Sequence, residues 1–396
     1  MKKKKLKNGG QFIHHQTDTD IVHLAVFIKV GTKDEQHFPA GIAHFTEHMI
    51  FKGTNNHQAH DILRKIDEYG GEFNAYTTKT YTVYGIKTLK RFEEEAIQLL
   101  LEMIFYSTFP KEEIEKEQKV ILEEIKMVED DPEETLFEQF EAKIFNNTSL
   151  MQPILGSKSS LQEMNQLNLL QFHNQYYVSN NCIFSYSGTK PEMIASMIEA
   201  LPLKETPVHQ NGFHFQKIDK VIHKPHLEQA HVVLAHPIVS HHHHLYEAFQ
   251  VINQIYGGSM NALLFKVLRE QNGYCYHTYS SIETYDQGGV LYTYFATDKE
   301  NINACIECID EIIKQLHTSI DEALINKTKQ NMITNLYMNF DNDGQFVNHY
   351  GKSMLIYDKI YTLEEIENLI DQVSLKDIQM ALNYIDCQYS QMKIMA

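Results

Sequence analysis

Cysteine is scarce in this sequence of 396 residues, which contains five. Their odd number and wide separation argue against a disulfide framework and favour a reducing compartment. We therefore expect a cytoplasmic protein. The five are Cys182, Cys275, Cys305, Cys308 and Cys387.

Cys305 and Cys308 have the spacing of a redox pair or of half a zinc site, but the sequence contains no second such pair. Cys305 also falls on an apolar stripe at helical spacing, which favours a place in a hydrophobic core. The stripe comprises Ile302, Cys305, Ile306, Ile309, Ile312, Ile313 and Leu316.

Long apolar runs are also absent, and no stretch reaches the length of about 18 residues that indicates a membrane span. Lys2 to Lys5 resemble the charged start of a signal peptide, but no apolar segment of signal-peptide length follows them. We predict a soluble chain that is not secreted by the standard route, with these lysines in a solvated tail before the first strand.

Basic residues are outnumbered, with 35 Lys and Arg against 52 Asp and Glu and a formal net charge of −17. Nucleic acids and anionic membrane surfaces would be repelled by most of such a surface. We therefore expect neither as the main partner, and the charge favours basic or neutral ligands.

The hydrophobic content of 43% is typical of globular proteins, and the length suggests two domains. Two prolines and a glycine interrupt the regular pattern at 201–217, where we place the boundary between domains 1–204 and 212–396. The order of strands and helices in the first half recurs in the second. The sequence predicts an α+β fold of two similar domains, each a mostly antiparallel sheet packed with helices, related by duplication.

The stretch GIAHFTEHMIFKGT, residues 41 to 54, contains the pattern His-x-x-Glu-His. On a helix, His44, Glu47 and His48 fall within an arc of about 100°, beside an apolar face. Two imidazoles at this spacing can bind zinc, and the carboxylate between them can accept a proton from water. An ordinary solvated helix explains the five residues about as well.

A second helix, predicted for 110–130, presents two glutamates on its apolar stripe, Glu117 and Glu124. A buried carboxylate requires a cation, a metal ion or several hydrogen-bond donors. Glu124 could therefore be a third zinc ligand, or both carboxylates could pair with an Arg or Lys inside the domain. The same winding places Val120 on the buried stripe and Glu123 outside it.

Four segments together resemble the pitrilysin/insulinase family of zinc peptidases, in the branch of the mitochondrial processing peptidase and its bacterial relatives. They are GIAHFTEHMIFKGT, GGEFNAYTT, EKEQKVILEEIKMVEDDPEE and GGSMNALLFKVLREQNGYCYHTYSS. His-x-x-Glu-His is the inverted zinc-peptidase signature. The resemblance extends over both halves of the chain in the same order.

The resemblance implies roles for residues in the first half. His44, His48 and Glu124 would bind zinc, Glu47 would be the general base, and Glu117 would support the site. Asn74 and Ala75 would line the substrate cleft on an edge strand.

In the second half, the resemblance implies that Arg269 and Tyr276 hold the substrate near the scissile carbonyl. Gly273 lies between them and should end the helix that carries Arg269, so that Tyr276 begins a strand. Taken alone, these residues are more typical of a plain helix end with a core tyrosine.

The implied activity is that of a zinc-dependent endopeptidase with one zinc ion per chain, which hydrolyses short unfolded peptides. Family members of this size assemble in pairs around a closed chamber, so a homodimer or a heterodimer with a related chain is expected. The family also contains inactive subunits, and a non-catalytic partner subunit or peptide-binding scaffold is the alternative.

The four consecutive histidines His241 to His244 suggest a further metal site. Consecutive side chains on a helix or strand do not all face one point. We therefore expect an exposed loop before a helix.

Overall fold

The computed structural model describes residues 1–146, 148–204 and 212–396. The strands are β1 Lys2–Lys5, β2 Gln11–Gln16, β3 Ile21–Ile28, β4 Glu72–Thr77, β5 Thr82–Leu89, β6 Cys182–Gly188, β7 Asp219–His223, β8 Ala230–Ile238, β9 Cys275–Tyr285, β10 Gly288–Thr297 and β11 Ser390–Met395.

The α-helices all lie between β3 and β11 along the chain. They are α1 Ile42–Met49, α2 Ala59–Tyr69, α3 Glu93–Phe105, α4 Lys111–Asp130, α5 Pro132–Ile144, α6 Lys158–Gln162, α7 Gln166–Tyr176, α8 Pro191–Glu199, α9 Tyr246–Tyr256, α10 Ile302–Ser319, α11 Glu322–Met338, α12 Asp343–Tyr357, α13 Leu363–Gln372 and α14 Leu375–Leu382. None of the helices in the described ranges is long and apolar enough to cross a membrane.

The chain forms two compact units. The first comprises Met1–Met127, Gln152–Asn211 and Phe340–Tyr361, and the second comprises Val128–Met151, Gly212–Asn339 and Thr362–Ala396. Each unit thus includes a helix from the other half of the sequence, α12 in the first and α5 in the second. The predicted boundary falls on residues 205–211, which lie outside the described residues, and the division into domains 1–204 and 212–396 stays a prediction.

The sheet of the first unit has the strand order β1-β2-β6-β3-β5-β4. β2 and β6 run parallel, and the other neighbours are antiparallel. Both faces of β3 are covered: Val22, Leu24 and Val26 face the large core of the unit, whereas Ala25 and Phe27 face a smaller core that includes residues of α12.

The sheet of the second unit has the order β7-β11-β8-β10-β9. β7 and β11 are parallel, and the other pairs are antiparallel. If the extra strand β1 is set aside, both sheets arrange their strands, counted along the chain, in the order first, fifth, second, fourth, third. The predicted α+β fold is confirmed, and the shared topology supports duplication.

The predicted solvated tail at the N-terminus is wrong, because Lys2–Lys5 form β1 and pair antiparallel with β2. Leu6 is buried, and its amide and carbonyl bond to Gly10 and Gly9 in the connecting turn. The four lysines are nevertheless exposed, as expected. Lysines on an edge strand disfavour pairing with another sheet.

Cys305 is buried in the core of the second unit with Ile309, Ile312 and Ile313 of α10, as the apolar stripe predicted. Cys308 is partly buried against the same core. All five cysteines are free thiols.

A glycine allows α12 to approach the first sheet closely. A Cβ atom on Gly351 would lie 1.9 Å from Cε2 of Phe27. Phe27 is fully buried on β3 and has no room to move aside.

We expect Gly351→Ala to lower the free energy of unfolding by about 1–3 kcal/mol, because the added methyl group overpacks a filled core. Gly85→Ala is the matched control, since its Cβ would meet its nearest neighbour at 3.8 Å, an ordinary contact. Denaturant unfolding measures both variants. Equal stability of the two would contradict the packing argument.

Candidate metal centre

The helix α1 begins at a position that only glycine fits. Gly41 has φ of 87°, and a Cβ atom there would lie 2.6 Å from the carbonyl oxygen of Leu155. The buried carboxylate of Glu35 accepts hydrogen bonds from the amides of Gly41, at 2.8 Å, and Ala43, at 2.9 Å. Burial raises the pKa of Glu35 to about 8. Two otherwise unpaired amides at the start of α1 are thereby satisfied.

The structure brings His44, His48 and Glu124 together. Oε2 of Glu124 lies 3.9 Å from Nε2 of His44 and 3.7 Å from Nε2 of His48. One potential ligand atom from each residue lies within 4.8 Å of the other two. These three are the zinc ligands that the family resemblance implied.

The arrangement fits a zinc ion. Tetrahedral zinc with bonds of about 2.0–2.1 Å separates its ligand atoms by about 3.4 Å, so a small contraction of the observed distances suffices. The donor set of two imidazole nitrogens and a carboxylate oxygen is typical of catalytic zinc sites. Burial and the neighbouring His48 lower the pKa of His44 to about 3, which keeps its imidazole neutral, as a ligand must be.

Glu117 orients the second histidine. Its Oε1 atom lies 2.7 Å from Nδ1 of His48, and its Oε2 atom lies 2.6 Å from Nζ of Lys52. Burial opposes the ionised carboxylate, but the hydrogen bonds from His48 and Lys52 outweigh it and lower the pKa of Glu117. Burial opposes the charged ring of His48, but the hydrogen bond to Glu117 and the nearby carboxylates outweigh it and raise the pKa of His48. Once the ring loses a proton to become a ligand, a proton kept on Nδ1 leaves Nε2 facing Glu124.

Glu47 lies in α1 between the two histidines, and its carboxylate is buried. Oγ1 of Thr77, at the end of β4, donates a hydrogen bond to Oε2 of Glu47 at 2.7 Å. Burial raises the pKa of Glu47, and the bond from Thr77 partly offsets this effect. The carboxylate is therefore held in one position beside the two imidazoles.

The predicted burial along α4 is partly wrong. The side chain of Glu117 is 4% exposed, but that of Glu124 is 34% exposed. Val120 is exposed as well, whereas Glu123 lies on the surface as expected. A helical wheel assumes that all residues on one face of a helix are equally buried. In α4, only part of that face is covered by the rest of the unit.

Asn74 and Ala75 lie on β4, the last strand of the first sheet. Alternate residues of the strand face opposite sides. Ala75 shares its side with Thr77 and is partly buried, whereas Asn74 points to the other side and is exposed. The outer edge of β4 pairs with no other strand of the sheet as described.

Arg269 and Tyr276 lie in the second unit and contact each other. Arg269 occurs in the π-helical segment Phe265–Gln271, and Nη1 donates to the carbonyl of Tyr276 at 3.1 Å. The guanidinium carbon lies 4.2 Å from the centre of the Tyr276 ring. Gly273 has φ of 63° and follows the helical segment, as predicted.

Three residues around the centre were not identified from the sequence. Thr77 could have been found, because strand alternation places it on the same side as Ala75. Lys52 follows His48 by about one helical turn, which is compatible with a shared partner. No comparable signal in the sequence marks Glu35.

Two descriptions of protein families match this chain. Residues 12–158 match the insulinase family of peptidases, M16, and residues 164–332 match the peptidase M16 inactive domain. The first match includes His44, Glu47, His48, Glu117 and Glu124.

Solved structures with similar folds include a protease from Helicobacter pylori, with a TM-score of 0.92 and 20% identity over 100% of this chain and 99% of that one. A structure from Pseudomonas fluorescens, described as a peptidase M16 inactive domain, has a TM-score of 0.89 and 17% identity over 100% and 98% of the two chains. At these identities the likeness concerns the fold.

Relatives found by sequence have higher identities to this chain than these two structures. The uncharacterized zinc protease YmxG of Bacillus subtilis is 32% identical over 365 residues, which are 90% of this chain and 88% of that protein. An uncharacterized zinc protease of Rickettsia bellii is 30% identical over 388 residues, 96% of this chain and 94% of that protein. Because the identity extends over nearly the whole of both chains, this protein belongs to the insulinase (M16) family of peptidases.

Proposed function

We propose that the protein is a zinc-dependent endopeptidase that hydrolyses short unfolded peptides, with one zinc ion per chain at this centre. The observation that carries the proposal is the convergence of His44, His48 and Glu124 beside the buried carboxylate of Glu47. A merely solvated helix would not bury a carboxylate next to two imidazoles.

A zinc ion held by His44, His48 and Glu124 would act as a Lewis acid, making water easier to deprotonate and the substrate carbonyl more electrophilic. Glu47 takes the proton of the attacking water and later delivers it to the leaving amine. Its raised pKa makes it a stronger base than an exposed glutamate. Through its bond to Oε2, Thr77 would hold the carboxylate of Glu47 in one orientation.

Glu117 and Lys52 would support the ligand His48 and take no part in the proton transfer. Glu117 fixes the ring of His48 through Nδ1, and Lys52 compensates the buried charge of Glu117. Such outer partners of metal ligands determine ligand orientation and metal affinity.

The edge of β4 is suited to an extended peptide, which would pair with its backbone beside Asn74 and Ala75. Pairing through backbone groups provides affinity without strict sequence demands. Arg269 and Tyr276 would hold the substrate near the scissile bond, and Tyr276 is accessible, with 76% of its surface exposed. A folded protein does not offer the extended strand that this mode requires.

We further propose that two such chains, either identical or related, enclose the substrate in a chamber that excludes folded proteins. The negative net charge of −17 favours basic or neutral peptides. The cytoplasmic location stays a prediction from the cysteine content.

A non-catalytic partner subunit or a peptide-binding scaffold is the competing function. Inactive members of a peptidase family need no metal ligands and no base. This chain has the three proposed ligands and the base. Glu47 and Glu117 are also buried, and burying a carboxylate without a function would cost stability.

We expect Glu47→Gln to lower kcat for peptide cleavage by about 10²–10⁴-fold, because the amide cannot accept the proton. Zinc content should stay that of the wild type, since Glu47 is not a ligand. Turnover is measured by mass spectrometry of new peptide termini, and bound zinc by elemental analysis.

The exposed Glu115→Gln, on α4, is the control for that experiment and should be fully active. Undiminished cleavage by Glu47→Gln would exclude the mechanism. A wild-type protein that binds peptides and zinc without producing new termini would favour the scaffold.

Thr77→Val should lower kcat by about tenfold or more and change KM little, because it removes a hydrogen bond to a charged group and preserves the shape of the side chain. Thr77→Ser, which keeps the hydroxyl, should restore most of the rate. If the two variants lost the same thermal stability and did not differ in kcat, the threonine would have a purely structural role.

Glu117→Gln should weaken zinc binding by about 10–100-fold, because His48 loses its charged acceptor and Lys52 loses its partner. Competition with a zinc chelator of known affinity measures the change. Glu123→Gln on the same helix is the control, since Glu123 is exposed and bonds to Lys126. Equal affinities of the two variants would contradict the orienting role.

A further inference from the structure

The run of four histidines lies in the turn between β8 and α9 of the second unit. The expected exposed loop is wrong for His241, which is buried, whereas His242 and His244 are exposed. The turn has defined backbone bonds, from the amide of His243 to the carbonyl of Ser240 at 3.1 Å and from the amide of Tyr246 to the carbonyl of His243 at 2.9 Å. His241 and His244 therefore occupy different environments.

The register of the second sheet explains which residue faces His241. β8 and β10 are antiparallel, and Ile238 pairs with Gly289 where the ladder ends. His241 follows Ile238 by three residues and Asp286 precedes Gly289 by three, so both lie just beyond this end of the ladder. Asp286 lies in the tight turn that joins β9 to β10, and the next residue, Gln287, accepts a hydrogen bond from the amide of Phe213 at 3.0 Å.

The side chains converge at this point. Nε2 of His241 lies 3.6 Å from Oδ1 of Asp286, and the ring centres of His241 and His242 are 4.3 Å apart. One potential ligand atom from each of the three residues lies within 4.8 Å of the other two. The spacing of 3.6 Å is close to the separation of about 3.4 Å between two ligands of one tetrahedral zinc.

The other two histidines of the run differ from this pair. Nδ1 of His243 accepts a hydrogen bond from the amide of Leu245 at 3.2 Å, next to the start of α9. The rings of His243 and His244 contact each other at a tilt of 32°, with centres 4.3 Å apart. The geometry thus divides the run into two residues that face Asp286 and two that do not.

The duplicated first unit provides an internal comparison. There the segment after β3 is joined to the turn between β4 and β5 by backbone bonds, from Thr32 to the carbonyl of Thr78 at 3.4 Å and from Lys33 to the carbonyl of Lys79 at 3.0 Å. The equivalent segment of the second unit is the one that presents His241 and His242 to Asp286. The first unit joins these two segments by backbone hydrogen bonds. At the equivalent place, the second unit has side chains that can bind a metal ion.

We propose that His241, His242 and Asp286 form a second zinc site, which links the turn before α9 to the turn between β9 and β10. Two imidazoles and one carboxylate form a donor set that zinc favours over magnesium or calcium. Two ligands are adjacent in the chain and the third comes from another strand connection. A bound ion therefore crosslinks two segments of the second unit and stabilises it.

The test uses untagged full-length protein equilibrated with zinc at a buffered free concentration, and zinc per chain is measured by elemental analysis. Wild-type protein should contain about one more zinc ion per chain than Asp286→Asn, which preserves the size of an exposed side chain. Zinc should also raise the Tm of the wild type more than that of the variant. Peptide cleavage by the variant should be unchanged.

His244→Ala is the matched control, since it removes a histidine from the same run but not from the cluster, and it should keep the wild-type zinc content. Equal zinc content in Asp286→Asn and the wild type would overturn the site. Equal loss of zinc in His244→Ala and Asp286→Asn would overturn it as well, because the binding would then belong to the histidine run as a whole.

Discussion

The contacts of the buried Glu117 carboxylate with His48 and Lys52 are the interaction on which the proposed metal centre depends. A charge with so little exposure requires partners, and it has two, His48 in α1 and Lys52 just beyond that helix. Because both partners lie on one short segment, they determine how α4 docks against α1. Glu124 lies about two helical turns further along α4 and is thereby directed towards the imidazoles.

The position of α1 depends in turn on what surrounds it. Glu35 and Gly41 determine where the helix begins, and Thr77 of β4 contacts it through Glu47. The ligands are therefore supported by a helix start, a second helix and a strand. Such support restricts the rotamers of the ligands before any metal binds, which reduces the ordering cost of binding.

The two sheets share one topology but differ in their chemistry. In the first unit, the last strand, β4, lies beside α1, the helix with His44 and His48. In the second unit, the corresponding strand, β9, begins next to the stacked pair Arg269 and Tyr276. A duplicated fold has thus kept its sheet order while the side chains at equivalent places diverged.

The sequence by itself determined the α+β class, the recurrence of strands and helices in the two halves and the candidate residues of the proposed zinc site. Helical periodicity related His44 to His48 and Glu117 to Glu124, and the resemblance to the insulinase family assigned their roles. The sequence did not determine the pairing of Lys2–Lys5 with β2, the exposure of Val120 or the contact of Thr77 with Glu47. Only the tertiary structure decided these features, as it decided the approach of His241 to Asp286. Local periodicity predicts the face of a helix or strand on which a residue lies. The element that covers this face is determined by the packing of helices and by the register between distant strands.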